Sequence, residues 1–291
     1  MPFTPQLASE LDGRILTPED HAYDQARTVF AAHIDRRPAL IARVAGPDDI
    51  ARVIAGARET GAELAVRSGG HSPAGHGVSD GGVVIDLSAL RSFELDADRR
   101  TVWAGAGLTA GAFSAAAGEH GLATGFGDTG SVGIGGITLA GGIGFLVRKH
   151  GLTIDNVLAA EIVTADGQLR HVDAETEPEL FWALRGGGGN FGVVTRLQYR
   201  LHPVGTVVGG LLVLPATPEA IAGFVAEAEA APEALTTIAN VMLAPPLPFV
   251  PEVLHGSPVV MARMAYAGDA DGGRRALAPF RALAEPVADL L

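Results

Sequence analysis

The sequence predicts an α+β fold in two parts, with a break near residue 204, and three observations carry that reading. Short apolar runs alternate with stretches of helical periodicity. Glycine fills 39 of 291 positions, nearly twice its usual share of about 7%, and the excess clusters in the loops between those runs. Pro203 and Gly205 then interrupt the pattern, and a fresh series of strands and helices begins at Thr206. With 47% hydrophobic and 19% charged residues, the chain is globular and long enough to bury a sizeable core.

Taken in order, residues 18–32 are predicted helical, with Pro18 near the first turn beside Glu19 and Asp20. Pro38 precedes a strand, Ala39 to Val44. Gly46-Pro47-Asp48-Asp49 opens a helix whose Ile50, Val53, Ile54 and Ala57 recur at i, i+3, i+4 and i+7, and Gly61 is placed to cap it. Strands at Leu64 to Val66 and Val83 to Leu87 flank the glycine-rich loop V-R-S-G-G-H-S-P-A-G-H-G, residues 66–77. A hairpin is expected from Leu90 to Asp96 and Thr101 to Ala104, around Asp98-Arg99-Arg100. The alanine-rich Thr109 to His120 reads as a helix closed by Gly121.

Residues 125–144 contain nine glycines in twenty positions, interspersed with Ile, Val, Leu and Phe rather than with the polar residues of a flexible linker. That mixture suggests backbone packed tightly against something flat, either another element or a cofactor ring. A strand from Asp155 to Thr164 turns through Ala165-Asp166-Gly167-Gln168 into Leu169 to Val172. Thr176 to Leu184 opens with a Thr-x-x-Glu capping box and Pro178, so it is a helix. Val193 to Leu201 alternates at period two and is a half-buried strand. The second part reads as a strand (Thr206 to Leu214), a helix (Pro218 to Ala231), two strands (Thr236 to Ala244 and Pro258 to Tyr266) and a helix (Gly272 to Ala284).

Composition removes several function classes. The formal charge of −12 argues against nucleic-acid or anionic-membrane partners. No apolar run reaches the ~18 residues of a membrane span. There is no cysteine, which excludes disulfides, thiolate metal sites, a cysteine nucleophile and a cysteinyl cofactor link. The opening M-P-F-T-P-Q-L-A-S-E-L-D-G-R has no apolar core of a secretory signal, so a cytoplasmic protein is expected.

Two stretches match a dinucleotide fingerprint by letter: Gly105, Gly107 and Ala110, and then Gly125, Gly127 and Gly130. Neither is followed by the second strand and acidic residue that such a site requires. No G-K-[ST] follows a glycine run, and no G-x-S-x-G elbow occurs. His71 and His76 have no nearby carboxylate to complete a metal set, so no metal is expected.

What survives is an ordered set: R-S-G-G-H-S, then G-D-T-G-S-V-G-I-G-G-I-T-L-A-G-G, then D-N-V, then R-G-G-G-G-N-F-G-V-V-T. This set resembles the FAD-binding domain of the vanillyl-alcohol oxidase/p-cresol methylhydroxylase superfamily. The branch it is most similar to is that of the berberine-bridge-enzyme-like and 6-hydroxynicotine-oxidase-like flavoproteins. The resemblance implies an N-terminal helical lead-in (1–36), a two-subdomain PCMH-type FAD-binding domain (37–204) and the first part of an α+β substrate domain, an antiparallel sheet with helices (205–291).

Carried over by position, the resemblance places Arg67, Ser68, Gly69, Gly70, His71 and Ser72 around the FAD pyrophosphate. His71 is then the residue that bonds to the flavin 8α-methyl, a neutral imidazole nitrogen acting as nucleophile. Thr129 stands where bicovalent members carry a cysteine, so one covalent bond is the most this chain can form. Gly130, Ser131, Val132, Gly133, Gly135, Gly136 and Gly142 would lie along the isoalloxazine and ribityl-phosphate. Ile162, Asn190, Gly192 and Val194 would close over the adenosine end. The alternative for these glycines is close packing of helix against strand. Val132 occupies the position that controls oxygen access, and a small aliphatic there resembles the oxidases.

The implied activity is an FAD-dependent oxidoreductase that takes hydride from a small alcohol or amine and is reoxidised by O2. Two alternatives stand beside it: a non-catalytic FAD-binding or small-molecule-sequestering remnant, and a noncovalent NAD(P)H-dependent flavin reductase. Family members continue beyond the equivalent of Leu291, so an exposed sheet edge is expected in 206–291, which a homodimer would cover. No residue there is singled out as catalytic.

Overall fold

A computed structural model describes Leu7 and residues 9–291, and it divides into two compact units. The expectation about the opening residues falls partly on positions 1–6 and 8, outside the described residues. The first unit runs to Ile143 and resumes over Leu152–His202, and the second joins Gly144–Gly151 to Pro203–Leu291.

Four strands make the first sheet of the first unit: β1 (Arg14–Leu16), β2 (Leu40–Arg43), β3 (Leu64–Arg67) and β4 (Val83–Asp86), in the order β1-β2-β4-β3. β4 lies parallel to both neighbours, and β1 is antiparallel. The parallel arrangement requires crossovers. One is the helix Pro47–Thr60, which ends at Gly61 in the left-handed conformation (φ 67°), as the sequence predicts. Leu40, Ala42, Val83 and Ile85 pack against that helix, while Ile41, Ala65 and Val84 face Tyr23 and Ala26 on the other side. Both faces are thus covered, which is why these short strands are apolar except for one charged residue at an end of each.

Five antiparallel strands form the second sheet, in the order Phe93–Asp96, Thr101–Gly105, Val193–Arg200, Val157–Val163, Leu169–Asp173. Its core centres on Phe113, Phe126, Tyr199 and Phe181. Gly107 sits between the strand Thr101–Gly105 and the helix Ala110–Gly118, where a Cβ would lie 1.8 Å from the Leu87 carbonyl. Its glycine serves close packing and not a nucleotide turn.

Two expectations are corrected and one unmarked element is added. The helix expected over 18–32 shrinks to Tyr23–Arg27. Asp20 Oδ2 ties back to the Thr17 N–H (2.8 Å), and the Phe30 N–H donates to Gly70 O (3.0 Å), so the flanks are spent on a turn and a tertiary bond. The capping box at Thr176 does not form. The Asp173 carboxylate takes the Glu175 and Thr176 N–H groups (2.8 and 2.6 Å), and Glu177 enters the helix with φ 54°. Lastly, the glycine cluster contains a helix, Ile134–Leu139.

In the second unit the strands Leu235–Leu243, Pro258–Ala267, Val207–Pro215 and Ala288–Asp289 form one antiparallel sheet in that order. The helices Pro218–Ala230 and Ala270–Arg281 cover one face through Phe224, Leu277 and Phe280. Asp269 and Thr217 cap their N-termini. The short helix Val147–His150 belongs to this unit: Arg148 donates to Ala231 O (2.8 Å) and Leu235 O (3.0 Å), and Lys149 to Ala267 O (2.8 Å).

Candidate cofactor site

Strand β3 ends at Arg67, and the chain then enters the loop Ser68–Ser72. Ser68 Oγ donates to Ala106 O at 2.5 Å. A Cβ on Gly69 would lie 2.2 Å from the Gly133 nitrogen, and one on Gly133 would lie 2.1 Å from the Gly69 nitrogen. Each glycine therefore permits the other, and the histidine loop is pressed backbone to backbone against the 129–136 loop. Gly70 adopts φ 67°, which turns the chain immediately before His71.

The second loop is fixed from behind. Gly111 N donates to Gly130 O and Ala110 N to Val132 O, both at 2.8 Å, so the segment is tied to the start of the helix Ala110–Gly118. Thr138 Oγ1, in the helix Ile134–Leu139, lies 2.8 Å from the buried Tyr199 hydroxyl. Burial pushes the Tyr199 phenol well above its ordinary value, so it stays protonated.

The glycines expected along the flavin or the pyrophosphate of FAD divide into two groups. Gly69, Gly133, Gly135 and Gly142 are confined by protein: a Cβ at Gly142 would lie 2.1 Å from Thr153 Oγ1, and one at Gly135 3.1 Å from Ala106 O. Gly136 is exposed, with nothing within 4 Å of an added Cβ, and Gly130 meets only Gly111 at 3.5 Å. Packing explains the first group, and an open flank that a flat ligand can approach distinguishes the second. Thr129 Oγ1 bonds Asp128 Oδ1 at 3.1 Å.

Ile162 and Val194 are in the core of the second sheet, and a Cβ on Gly192 (φ 147°) would lie 2.4 Å from Val163 O and 3.0 Å from the Ile162 side chain. Asn190 is exposed and bonds Gly187 O at 2.6 Å. The two ends of the expected site connect through Ala106, whose carbonyl receives Ser68 and whose N–H donates to Thr195 O at 2.9 Å.

At the carboxyl ends of the parallel strands lies a polar cleft of about 440 Å³, lined by Arg43, Arg67, Ser68, Gly69, Asp86 and Arg91, among others. Strand register sets Arg43 and Arg67 on either side of Asp86. Both guanidinium groups lie 3.1 Å from Asp86 Oδ2, and Arg67 also donates to Ala26 O. Burial works to raise the Asp86 carboxyl, but Arg67, the Ser88 N–H and Arg43 outweigh it and hold it below the ordinary carboxylate value. Two cations share one anion, and Arg91, bonded to Ser88 O at 2.5 Å, adds a third. The wall is net positive in an acidic chain, which suits a diphosphate.

His71 lies at the junction of the two loops, its Nε2 3.0 Å from Ser131 Oγ and its ring stacked on Phe30. Of the residues the sequence singled out, the structure brings His71 and Ser131 together. Sequence reasoning missed Phe30, taken as helical, and also Arg43, Asp86 and Arg91, whose only signal is that two of them end neighbouring strands. These residues fit FAD: clamped loops, an open glycine flank, a cationic cleft and a presented imidazole. Among the described residues no cluster could hold a metal ion, and no helix is long and apolar enough to cross a membrane.

Residues 38–173 match the family described as FAD binding domain. The chain is 34% identical over 281 residues to (R)-6-hydroxynicotine oxidase of Paenarthrobacter nicotinovorans, covering 96% of this chain and 60% of that protein. An FAD-dependent monooxygenase of Fusarium proliferatum is 40% identical over 183 residues, covering 62% of this chain and 35% of that protein. Among solved structures, 6-hydroxy-D-nicotine oxidase from Arthrobacter nicotinovorans superposes with a TM-score of 0.89 at 31% identity, covering 97% of this chain and 61% of that one. A BBE-like protein of Physcomitrella patens gives a TM-score of 0.86 at 25% identity, covering 97% and 60%. The chain thus spans about 60% of the length of these two structures and of the first relative.

Proposed function

Because the chain belongs to the flavoprotein family built on this FAD binding domain, we propose that it is an FAD-dependent oxidoreductase of oxidase type. It takes hydride from a small organic alcohol or amine, holds FAD covalently through His71, and passes the electrons to O2. FAD supplies the redox chemistry when bound, and the protein supplies binding and orientation.

The observation that carries this reading is the clamp between the Ser68–Ser72 and Thr129–Gly136 loops. Mutual Gly69–Gly133 contact fixes both loops, and His71 and Ser131 meet at their junction. In this reading the Gly69–Ser72 backbone and the Arg43–Arg67–Arg91 wall hold the diphosphate, a use of amide groups and cations suited to anions. Gly130 and Gly136 give the ring room to approach the backbone, Val132 stands at the oxygen-access position, and Ile162, Asn190, Gly192 and Val194 sit at the adenosine end.

Acid precipitation of the purified protein tests the reading. Flavin absorbance retained in the wild-type pellet and lost from that of His71→Ala is expected. Colour only in the supernatant removes the covalent link but keeps FAD, and no flavin in either fraction overturns the cofactor assignment. Arg43→Ala is expected to weaken FAD binding about tenfold, the size of one charge-assisted hydrogen bond, as read by titration of the apoprotein.

A further inference from the structure

His71 is held on two sides. Its ring lies on Phe30 with centroids 4.3 Å apart and planes 16° from parallel, and its Nε2 lies 3.0 Å from the Ser131 hydroxyl. Ser131 is in turn set between Gly130 and Val132, whose carbonyls are bonded to the start of the helix Ala110–Gly118. The loop that carries His71 is located by the Gly69–Gly133 contact. Ring plane, ring edge and both backbones are thus defined, and the nitrogen left over is Nδ1, which meets no hydrogen-bonding partner among the described residues.

We propose that Ser131 is a positioning residue for covalent attachment of the flavin, an inference that rests on His71 being the attachment point. Ser131 Oγ accepts the hydrogen bond from Nε2–H. This places the single imidazole proton on Nε2 and leaves the Nδ1 lone pair as the nucleophile. Phe30 restricts ring rotation, so Nδ1 keeps its direction.

The step balances. A bond forms between Nδ1 and the 8α-carbon, and the 8α-methyl group loses one proton. The alkylated imidazole releases its Nε2 proton past Ser131 Oγ, which is exposed and can pass it to water. The electron pair left on the flavin goes to O2, which with the two protons becomes hydrogen peroxide.

The apoprotein is given FAD, and acid-precipitable flavin is followed with time by absorbance and by intact mass. The histidyl-flavin peptide is then isolated and its linkage nitrogen assigned by heteronuclear NMR. Linkage through Nδ1 is expected. Ser131→Ala should attach flavin roughly three- to tenfold more slowly, the range for one lost neutral hydrogen bond, and Ser131→Thr should restore the rate. Attachment rates are compared at saturating FAD, and the noncovalent affinity of Ser131→Ala is read separately in a His71→Ala background, which separates positioning from binding.

Linkage through Nε2, or an unchanged rate in Ser131→Ala, overturns the role of Ser131 while leaving His71 as the attachment point. Flavin that is wholly acid-soluble in the wild type overturns both. If Ser131→Ala does not fold, the linkage nitrogen of the wild type and the rate of Ser131→Thr still decide the matter.

Discussion

At Asp86 one carboxylate, 1% exposed, holds two guanidinium groups across three parallel strands. Replacing it with asparagine leaves Arg67 and Arg43 facing each other without a counter-charge. Removing one partner of a buried pair typically costs 3–5 kcal/mol; with Arg43 partly exposed, about 3 kcal/mol is expected for Asp86→Asn, read by denaturant unfolding. The pH dependence has a definite sign. The folded-state carboxyl lies below its ordinary value of 3.8. Its contribution is therefore complete above that value and is lost as pH falls through the lower folded-state pKa. Thermal unfolding between pH 5 and pH 3 should show a steeper loss in the wild type than in Asp86→Asn. The sequence shows Arg43, Arg67 and Asp86 only as charges at the ends of apolar runs. Nothing in a single chain reveals the parallel register that makes them neighbours. His71 was legible because it stands in the R-S-G-G-H-S motif on which the family resemblance rests, whereas Phe30, stacked on its ring, carried no such mark.

Among the elements, most strands and helices follow from periodicity and capping, and the Pro47–Thr60 helix with its Gly61 cap is the clearest case. The Ile134–Leu139 helix was hidden because glycine is a poor helix former, and tertiary anchoring overrides that preference. The Thr138–Tyr199 hydrogen bond supplies that anchor in the core of the second sheet. Tyr199→Phe strands the Thr138 hydroxyl and should cost about 1–3 kcal/mol, the penalty of an unpaired buried group. Should calorimetry show no loss, the anchor is not the hydroxyl pair. The Thr176 capping box failed for a local reason: Asp173 reaches the same N–H groups first. In the second unit the edge strand Leu235–Leu243 exposes Val241 and Leu243, 60% and 63% accessible. A free apolar edge invites pairing. Val241→Lys is expected to lower self-association, measured by light scattering against concentration.

For the whole molecule, the sequence places a break between residues 204 and 205, and the compact units change over between His202 and Pro203. Residues 144–151 belong to the second unit as well, which no local signal announces because their partners come more than eighty residues later. A fragment beginning at 203 lacks Arg148 and Lys149, which bond the carbonyls of Ala231, Leu235 and Ala267. Circular dichroism should therefore show it melting below a version to which 144–151 has been joined.

The clamp between the two loops also carries a consequence in time. Ser68 and Ala106 are 38 residues apart in the chain, and His71 and Ser131 are 60 apart. Contacts of such separation close only after the entropy of the intervening chain has been lost, so they form late in folding. If attachment at His71 needs Ser131 beside it, a polypeptide still emerging or still collapsing carries an inert imidazole. Under the proposed chemistry, acid-stable flavin is then a timestamp of completed folding, and a pulse-labelled population should acquire protease resistance before it acquires colour.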